Sequence, residues 1–316
     1  LTSHMASSSK IPNLYYNGRL LDTDPSCFGL LNCSAELMDD TDALRARLAE
    51  DGYLYLPGLL DRDDVLAARR SILERMRSAN MLHPDHPLMD GVAKPGRRGD
   101  FTPALAKDNP QVHHMAYAGP MMQFFEKFLG GPVRHFDYTW LRTKSPGAGH
   151  VTNPHCDIVY MGRGTKNLFT AWTPLGDVPF EMGGLMIMER SKHRADVLGD
   201  YWKLDVDHYC TNKDEAEGIE SGRKSWEDAK QGGSFNPDAL ALREHLGERW
   251  LSSEYSVGDV LIFSMFTLHA SSDNQTDRFR LSTDTRYQLA SEPADERWIG
   301  EDPIAHGVEA KIGMIC

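Results

Sequence analysis

Residues 269–287, HASSDNQTDRFRLSTDTRY, constrain the fold more than any other stretch of the chain. His269 closes an apolar run that begins at Val260, and the SSDNQTD that follows is built of turn formers. From Phe279 the residues alternate. Phe279, Leu281, Thr283, Thr285, Tyr287 and Leu289 share one parity, and Arg280, Ser282, Asp284, Arg286 and Gln288 share the other. Successive side chains of a strand point to opposite faces, so one face is largely apolar and the other uniformly polar. Such a strand is either half exposed, with its polar side to water, or a wall of a small barrel whose polar face lines a cavity. Segments upstream decide between the two.

Before residue 130 the punctuation is helical. Thr41–Glu50 predicts a short helix ended by Gly52, followed by a strand over Tyr53–Leu56 that Pro57-Gly58 stops. Asp61 predicts an N-cap for a helix to about Ser78, with Asp63 and Asp64 in its first turn and Arg75 and Arg77 in its last, both favourable to the helix dipole. Residues 80–112 read as loop, and Met121–Leu129 as a further helix. From Val133 the pattern turns to strands: VRHFDYTWLRTK, HCDIVYMG, NLFTAWTPL and GGLMIMER. A polar insertion over about 195–250 follows, with a helix near Asp238–Leu246, and strands resume near Trp250. The expectation is one domain over 10–316, mainly β with flanking helices: a helical region over about 40–130, a β core over about 131–290 and a C-terminal tail over 291–316. Ser3-His4-Met5 within residues 1–9 reads as a tag-cleavage remnant and is set aside.

A net charge of −12 disfavours a general nucleic-acid binder, which needs a basic surface. No apolar run is long enough to span a membrane. The five cysteines, Cys27, Cys33, Cys156, Cys210 and Cys316, are odd in number and lack metal-type spacing, which predicts reduced thiols and a cytoplasmic protein.

His-x-Asp occurs three times, at His83/Asp85, His135/Asp137 and His155/Asp157. On a strand, residues two apart face the same way, so an imidazole and a carboxylate can hold one ion. With a distal histidine they form a 2-His-1-carboxylate triad that leaves positions open on non-haem Fe(II). His83 stands beside Pro84 in a loop. His135 and Asp137 read as an ordinary strand pair. His155/Asp157 is the copy with suitable company downstream: Trp172, Gly183-Gly184, Ser191-Lys192-His193, His269 and Arg280.

GYLYLPGLLDRDDV (52–65), His155-x-Asp157, Trp172, EMGGLMIMERSKH (181–193) and GDVLIFSMFTLHASSDNQTDRFRLS (258–282) stand in an order that resembles the phytanoyl-CoA dioxygenase-like Fe(II)/2-oxoglutarate oxygenases. The resemblance implies a double-stranded β-helix, a distorted, cupin-like jelly roll with an N-terminal helical buttress. It implies that His155, Asp157 and His269 bind iron and that Arg280, eleven residues after the distal histidine, pairs with the far carboxylate of 2-oxoglutarate. Ser282 would add a bond to that carboxylate, and Trp172 would lie near it. Arg190 stands where the family usually has glycine, and His193 is taken as structural. Fe(II), 2-oxoglutarate and O2 are the implied cofactor and cosubstrates, and the activity is that of a dioxygenase of the EC 1.14.11 type: hydroxylation first, with cyclisation, desaturation and epimerisation left open, since they diverge only after hydrogen abstraction. Asp157 argues against halogenation, since halogenating relatives carry a small residue there.

Asp284 and Arg286, with the acidic insertion (Asp205, Asp207, Asp214, Glu215, Glu217, Glu220), suggest a small polar or cationic substrate, such as a metabolite or natural-product intermediate. The alternatives are an acyl-CoA hydroxylase of the same family, a non-catalytic jelly-roll binding protein, and a zinc hydrolase, which has no use for Arg280.

Overall fold

The fold is described from a computed structural model covering residues 11–214, 216–224 and 232–316. The expected remnant at 1–9 and Glu215 of the insertion lie outside the described residues. In chain order the elements that build the site are strand β1 (Phe28–Leu30), helix α1 (Thr41–Asp51), strand β2 (Tyr53–Leu56), helix α2 (Arg62–Ser78), strand β3 (Asp100–Phe101) and helices α3 (Pro110–Tyr117) and α4 (Gly119–Leu129). Next come strands β4 (Val133–His135) and β5 (Trp140–Lys144), the short helix α5 (Ile158–Met161), and strands β6 (Phe169–Pro174), β7 (Leu185–Met188) and β8 (His208–Cys210). Helix α6 (Ala239–Leu246) and strands β9 (Trp250–Ser252), β10 (Val260–Ser264), β11 (His269–Ser271), β12 (Arg280–Leu289) and β13 (Ile312–Met314) complete the set.

Two sheets face one another as a distorted jelly roll. The larger runs β2-β10-β6-β12-β5-β3, with β4 on the far end of β12, and all its pairs are antiparallel. The smaller runs β11-β7-β9-β1. Register explains the two parities of β12. Leu281 and Tyr287 join Leu141, Ala171, Val260, Ile262, Leu54 and Leu56 in a core shared with α1 to α4, the helical buttress on the outer face. Arg280, Ser282, Asp284 and Arg286 pair with Lys144, Arg142, Trp140, Trp172 and Thr170 on the inner face. All five residues of the polar face of β12, Gln288 included, are buried, so that face lines an interior rather than meeting water.

Helix signals behave as capping chemistry dictates. Asp61 accepts from the amides of Asp63 and Asp64, and Gly52 adopts a left-handed φ of 81° to end α1. Val65, Ala68, Ile72, Leu73 and Met76 of α2 face the core. Ile72→Ala should lower the urea midpoint by the equivalent of about 2–5 kcal/mol, the usual cost of a buried isoleucine.

Three expectations need correction. The loop expected over 80–112 ends early, because Asn109 caps α3 with Pro110 at its first position. HCDIVYMG is not a strand. Asp157 takes helical angles (φ −64°, ψ −24°), and the amides of Tyr160 and Met161 turn back onto its carbonyl, because Ile158, Val159 and Met161 have an apolar cluster to enter on that side. The cysteines are not all reduced: Cys210 and Cys316 form a disulfide. They are 106 residues apart, and the parallel pairing of β8 with β13 brings them together. No helix among the described residues is long and apolar enough to cross a membrane.

Candidate metal centre

His155, Asp157 and His269 meet between the two sheets, all three buried, with one potential ligand atom from each within 4.8 Å of the others. A backbone bridge aligns the two histidines: each one's amide donates to the other's carbonyl, at 3.1 and 3.0 Å. The turn at Asp157 then swings its carboxylate back toward both rings. Oδ1 lies 3.7 Å from His155 Nε2 and 3.8 Å from His269 Nε2.

The hydrogen bonds behind these atoms decide which of them face the ion. His155 Nδ1 lies 2.8 Å from the carbonyl of Asn153, and His269 Nδ1 lies 3.0 Å from that of Thr267. A carbonyl only accepts, so both Nδ1 atoms carry the proton and both Nε2 atoms present lone pairs. Burial drives the His155 pKa down to about 3, with His269 adding to the effect, and burial likewise lowers His269. Neutral imidazole is the form that binds metal.

Asp157 Oδ2 accepts from Thr170 Oγ1 at 2.5 Å and from Arg286 Nη2 at 3.0 Å, which leaves Oδ1 for the ion. Burial would raise this carboxyl's pKa, but Arg286, the two imidazoles and the Thr170 hydroxyl hold it well below the usual carboxylate range. The guanidinium of Arg286 is steadied by the Trp140 ring, 4.0 Å from its centroid. Two neutral imidazoles and one carboxylate oxygen, with their outer hydrogen bonds in place, fit a divalent metal of the non-haem iron kind.

Arg280 lies further along the same face of β12. It is buried, and its Nη1 and Nη2 reach only the Gly183 carbonyl (2.8 Å) and Ser282 Oγ (3.3 Å). No carboxylate among the described residues pairs with it, and its Nε is buried without a partner. Burial, with Arg142 nearby, pushes its pKa down to about 10. Trp172 lies against it, 5.6 Å from ring centroid to guanidinium carbon, with its own Nε1 buried and unpartnered. This cradle of unused donors suits an incoming carboxylate.

The structure therefore brings together His155, Asp157, His269, Arg280, Ser282 and Trp172. Asp284 pairs with Arg142 at 2.9 Å, and Arg286 faces Asp157. Asp205 and Asp207 of the insertion are tied inward, to Arg163 and Arg297 and to Arg297, His306 and Lys311 respectively. Asn274 is held in its turn by Thr276 and Arg278, and His193 reaches the Glu50 carbonyl at the surface. Arg190 has a left-handed φ of 56°, which explains why a glycine suits that position. The other His-x-Asp pairs stand apart: His83/Asp85 in a loop, and His135 stacked on Tyr117 with Asp137 accepting from the Gly300 amide. Thr170, Arg142 and Lys144 were not singled out from the sequence. Their signal is the alternation of WLRTK and of FTAW, read with the register of their neighbours.

The insertion walls one side of this centre. The Phe235 amide donates to the Pro154 carbonyl, and Tyr201 Oη accepts from the Cys156 amide while donating to Gly233.

The profile of the phytanoyl-CoA dioxygenase (PhyH) family matches residues 48–282, and the chain belongs to that family. A curated relative, 1-deoxypentalenic acid 11-beta-hydroxylase of Streptomyces exfoliatus, is 29% identical over 269 residues, covering 81% of this chain and 83% of the relative. Among solved structures, the epimerase SnoN in complex with Fe3+, alpha ketoglutarate and nogalamycin RO superposes with a TM-score of 0.52 at 21% identity, over 85% of this chain and 94% of that one. The alpha ketoglutarate dependent carbocyclase SnoK from nogalamycin biosynthesis gives 0.54 at 17% identity, over 81% and 87%. At these identities the two structures establish a shared fold.

Proposed function

We propose that this protein is a non-haem Fe(II)/2-oxoglutarate-dependent oxygenase of 10–316 that hydroxylates a small natural-product intermediate or related metabolite. The observation that carries this reading is the pairing of two sites on one inner face. A triad presents two Nε2 atoms and one carboxylate oxygen, and a buried Arg280 without a carboxylate partner stands further along the same strand. A zinc hydrolase has no need of the second site. Iron with 2-oxoglutarate and O2 supplies the oxidising power, inserting oxygen into a substrate C–H bond with release of succinate and CO2.

The chain's own residues do the rest. His155, His269 and Asp157 hold the metal, and Arg280 with Ser282 orients the cosubstrate from its distal end, close to Trp172. The insertion and the buried inner strands exclude water. Asp284 and Arg142 are assigned to the substrate side, and Arg286 to Asp157. The activity of the curated relative, hydroxylation of 1-deoxypentalenic acid, supports a natural-product substrate rather than an acyl-CoA.

The test is anaerobic titration of the metal-free protein with Fe(II) and 2-oxoglutarate, following the visible charge-transfer band of the chelate. The band should form in wild type and in Asp137→Ala, and vanish in Asp157→Ala. In Arg280→Ala it should need roughly a hundredfold more 2-oxoglutarate, the loss expected for a buried charge-assisted pair. Metal uptake with no band at any 2-oxoglutarate concentration would overturn the reading.

A further inference from the structure

Lys144 ends β5, directly across from Arg280 on β12. Its side chain is buried at 2% exposure. Its Nζ donates to Ser271 Oγ at 2.8 Å, to the Ser272 carbonyl, and at 3.4 Å to the Gly183 carbonyl. The Gly183 oxygen is the one that also accepts from Arg280. Three acceptors match the three donors of an ammonium, so this geometry is that of a cation. Two cations thus converge on one carbonyl oxygen in the dry end of the barrel, and among the described residues neither has a carboxylate within ion-pair distance.

Buried like charges without a counter-ion are costly, and a lysine that only tied loops together could be replaced by a neutral donor. Burial and the neighbouring Arg280 both push the Lys144 pKa well down, as expected for a cation awaiting an anion. The surroundings are built to hold it. Gly183 has a φ of 73°, and a Cβ there would stand 2.5 Å from the Ser272 carbonyl, so the chain can approach Lys144 this closely only with glycine. Ser271, on the strand that carries His269, also accepts from the Thr152 amide, which ties the cluster to the segment leading to His155.

We propose that Lys144 is a second cation of the distal-carboxylate pocket, a positioning residue that makes the site selective for dicarboxylate 2-oxo acids. This rests on the oxygenase reading above. All three ammonium protons already have protein acceptors, so Lys144 acts by its charge and by fixing the Gly183 carbonyl that steadies Arg280. It need not touch the cosubstrate.

The experiment measures calorimetric binding of 2-oxoglutarate, and of 2-oxobutyrate, which lacks the distal carboxylate, to the Mn(II)-loaded protein. Wild type should strongly prefer the dicarboxylate. Lys144→Met should cut the preference about tenfold or more while leaving 2-oxobutyrate affinity unchanged. An equal loss for both acids, or no loss for either, would overturn the proposal and leave Lys144 a structural tie. Should Lys144→Met not fold, Arg280→Met retains Lys144 and should keep a reduced but measurable preference for 2-oxoglutarate; no remaining preference would overturn the proposal. A wild-type protein that binds neither acid would instead overturn the oxygenase reading, and this one with it.

Discussion

Replacing Arg286 with leucine should cost the metal-free protein about 3–5 kcal/mol, among the largest losses available to a single substitution outside the triad. Arg286 and Asp157 are both almost fully buried and 3.0 Å apart. Without the guanidinium, the carboxylate keeps only the Thr170 hydroxyl as a partner on Oδ2. It must then either stay charged in a dry interior or take up a proton, and each response has a signature. A bound divalent metal supplies the missing positive charge, so Mn(II) should raise the melting temperature of Arg286→Leu more than that of wild type. A protonated Asp157 must lose its proton to bind metal, so metal affinity in the variant should fall with acid near neutral pH, where wild type is flat. Thermal melts with and without Mn(II), and Mn(II) titrations at two pH values, separate these outcomes. Equal destabilisation with and without metal would mean that Arg286 only packs against Trp140 and does not serve the carboxylate.

The β12 face was legible because it rests on a short-range regularity, whereas the grouping of His155, Asp157 and His269 rests on the order of motifs along the chain, since the strand spacing that His-x-Asp suggests is not how Asp157 reaches the histidines. Alternation from Phe279 to Leu289 exposes two faces whatever the partner strands are, and cap residues such as Asp61 and Gly52 act within a few positions of themselves. The role of Arg286 was not legible in the same way. It shares a parity with Arg280 and Asp284, and only the register Arg286–Thr170 shows that it meets Asp157 rather than the substrate side. Lys144 and Arg142 are hidden for the same reason, since cross-strand pairing is a long-range property. The turn at Asp157 reads as a strand because Ile158, Val159 and Tyr160 are β formers by composition, yet here Ile158 and Val159, with Met161, fill a core cluster from a helical turn. The Cys210–Cys316 bond depends on a parallel pair between the insertion and the tail, and the sequence carries no spacing signal for that.

Acid should destabilise the metal-free protein steeply, and the histidines are the reason. His155 is buried with a pKa near 3, pushed there by burial and by His269, whereas the unfolded chain titrates at about 6.5. Between those values the unfolded state binds a proton that the folded state refuses. Stability is therefore unaffected by this group above pH 6.5 and falls as the pH drops, by about 1.4 kcal/mol per unit, reaching roughly 5 kcal/mol by pH 3. His269 is shifted in the same direction. Asp157 adds to the trend at lower pH: its depressed pKa contributes stability above the unfolded value near 3.9, and that stability is lost below it. Urea unfolding at pH 7, 6 and 5 in the presence of a chelator should show the slope. His155→Asn, which lacks a titrating ring, should have a visibly shallower slope even if it is less stable at pH 7. If the slope persists unchanged in that variant, acid sensitivity arises elsewhere, and the buried Asp207 cluster with Arg297, His306 and Lys311 is the next place to look.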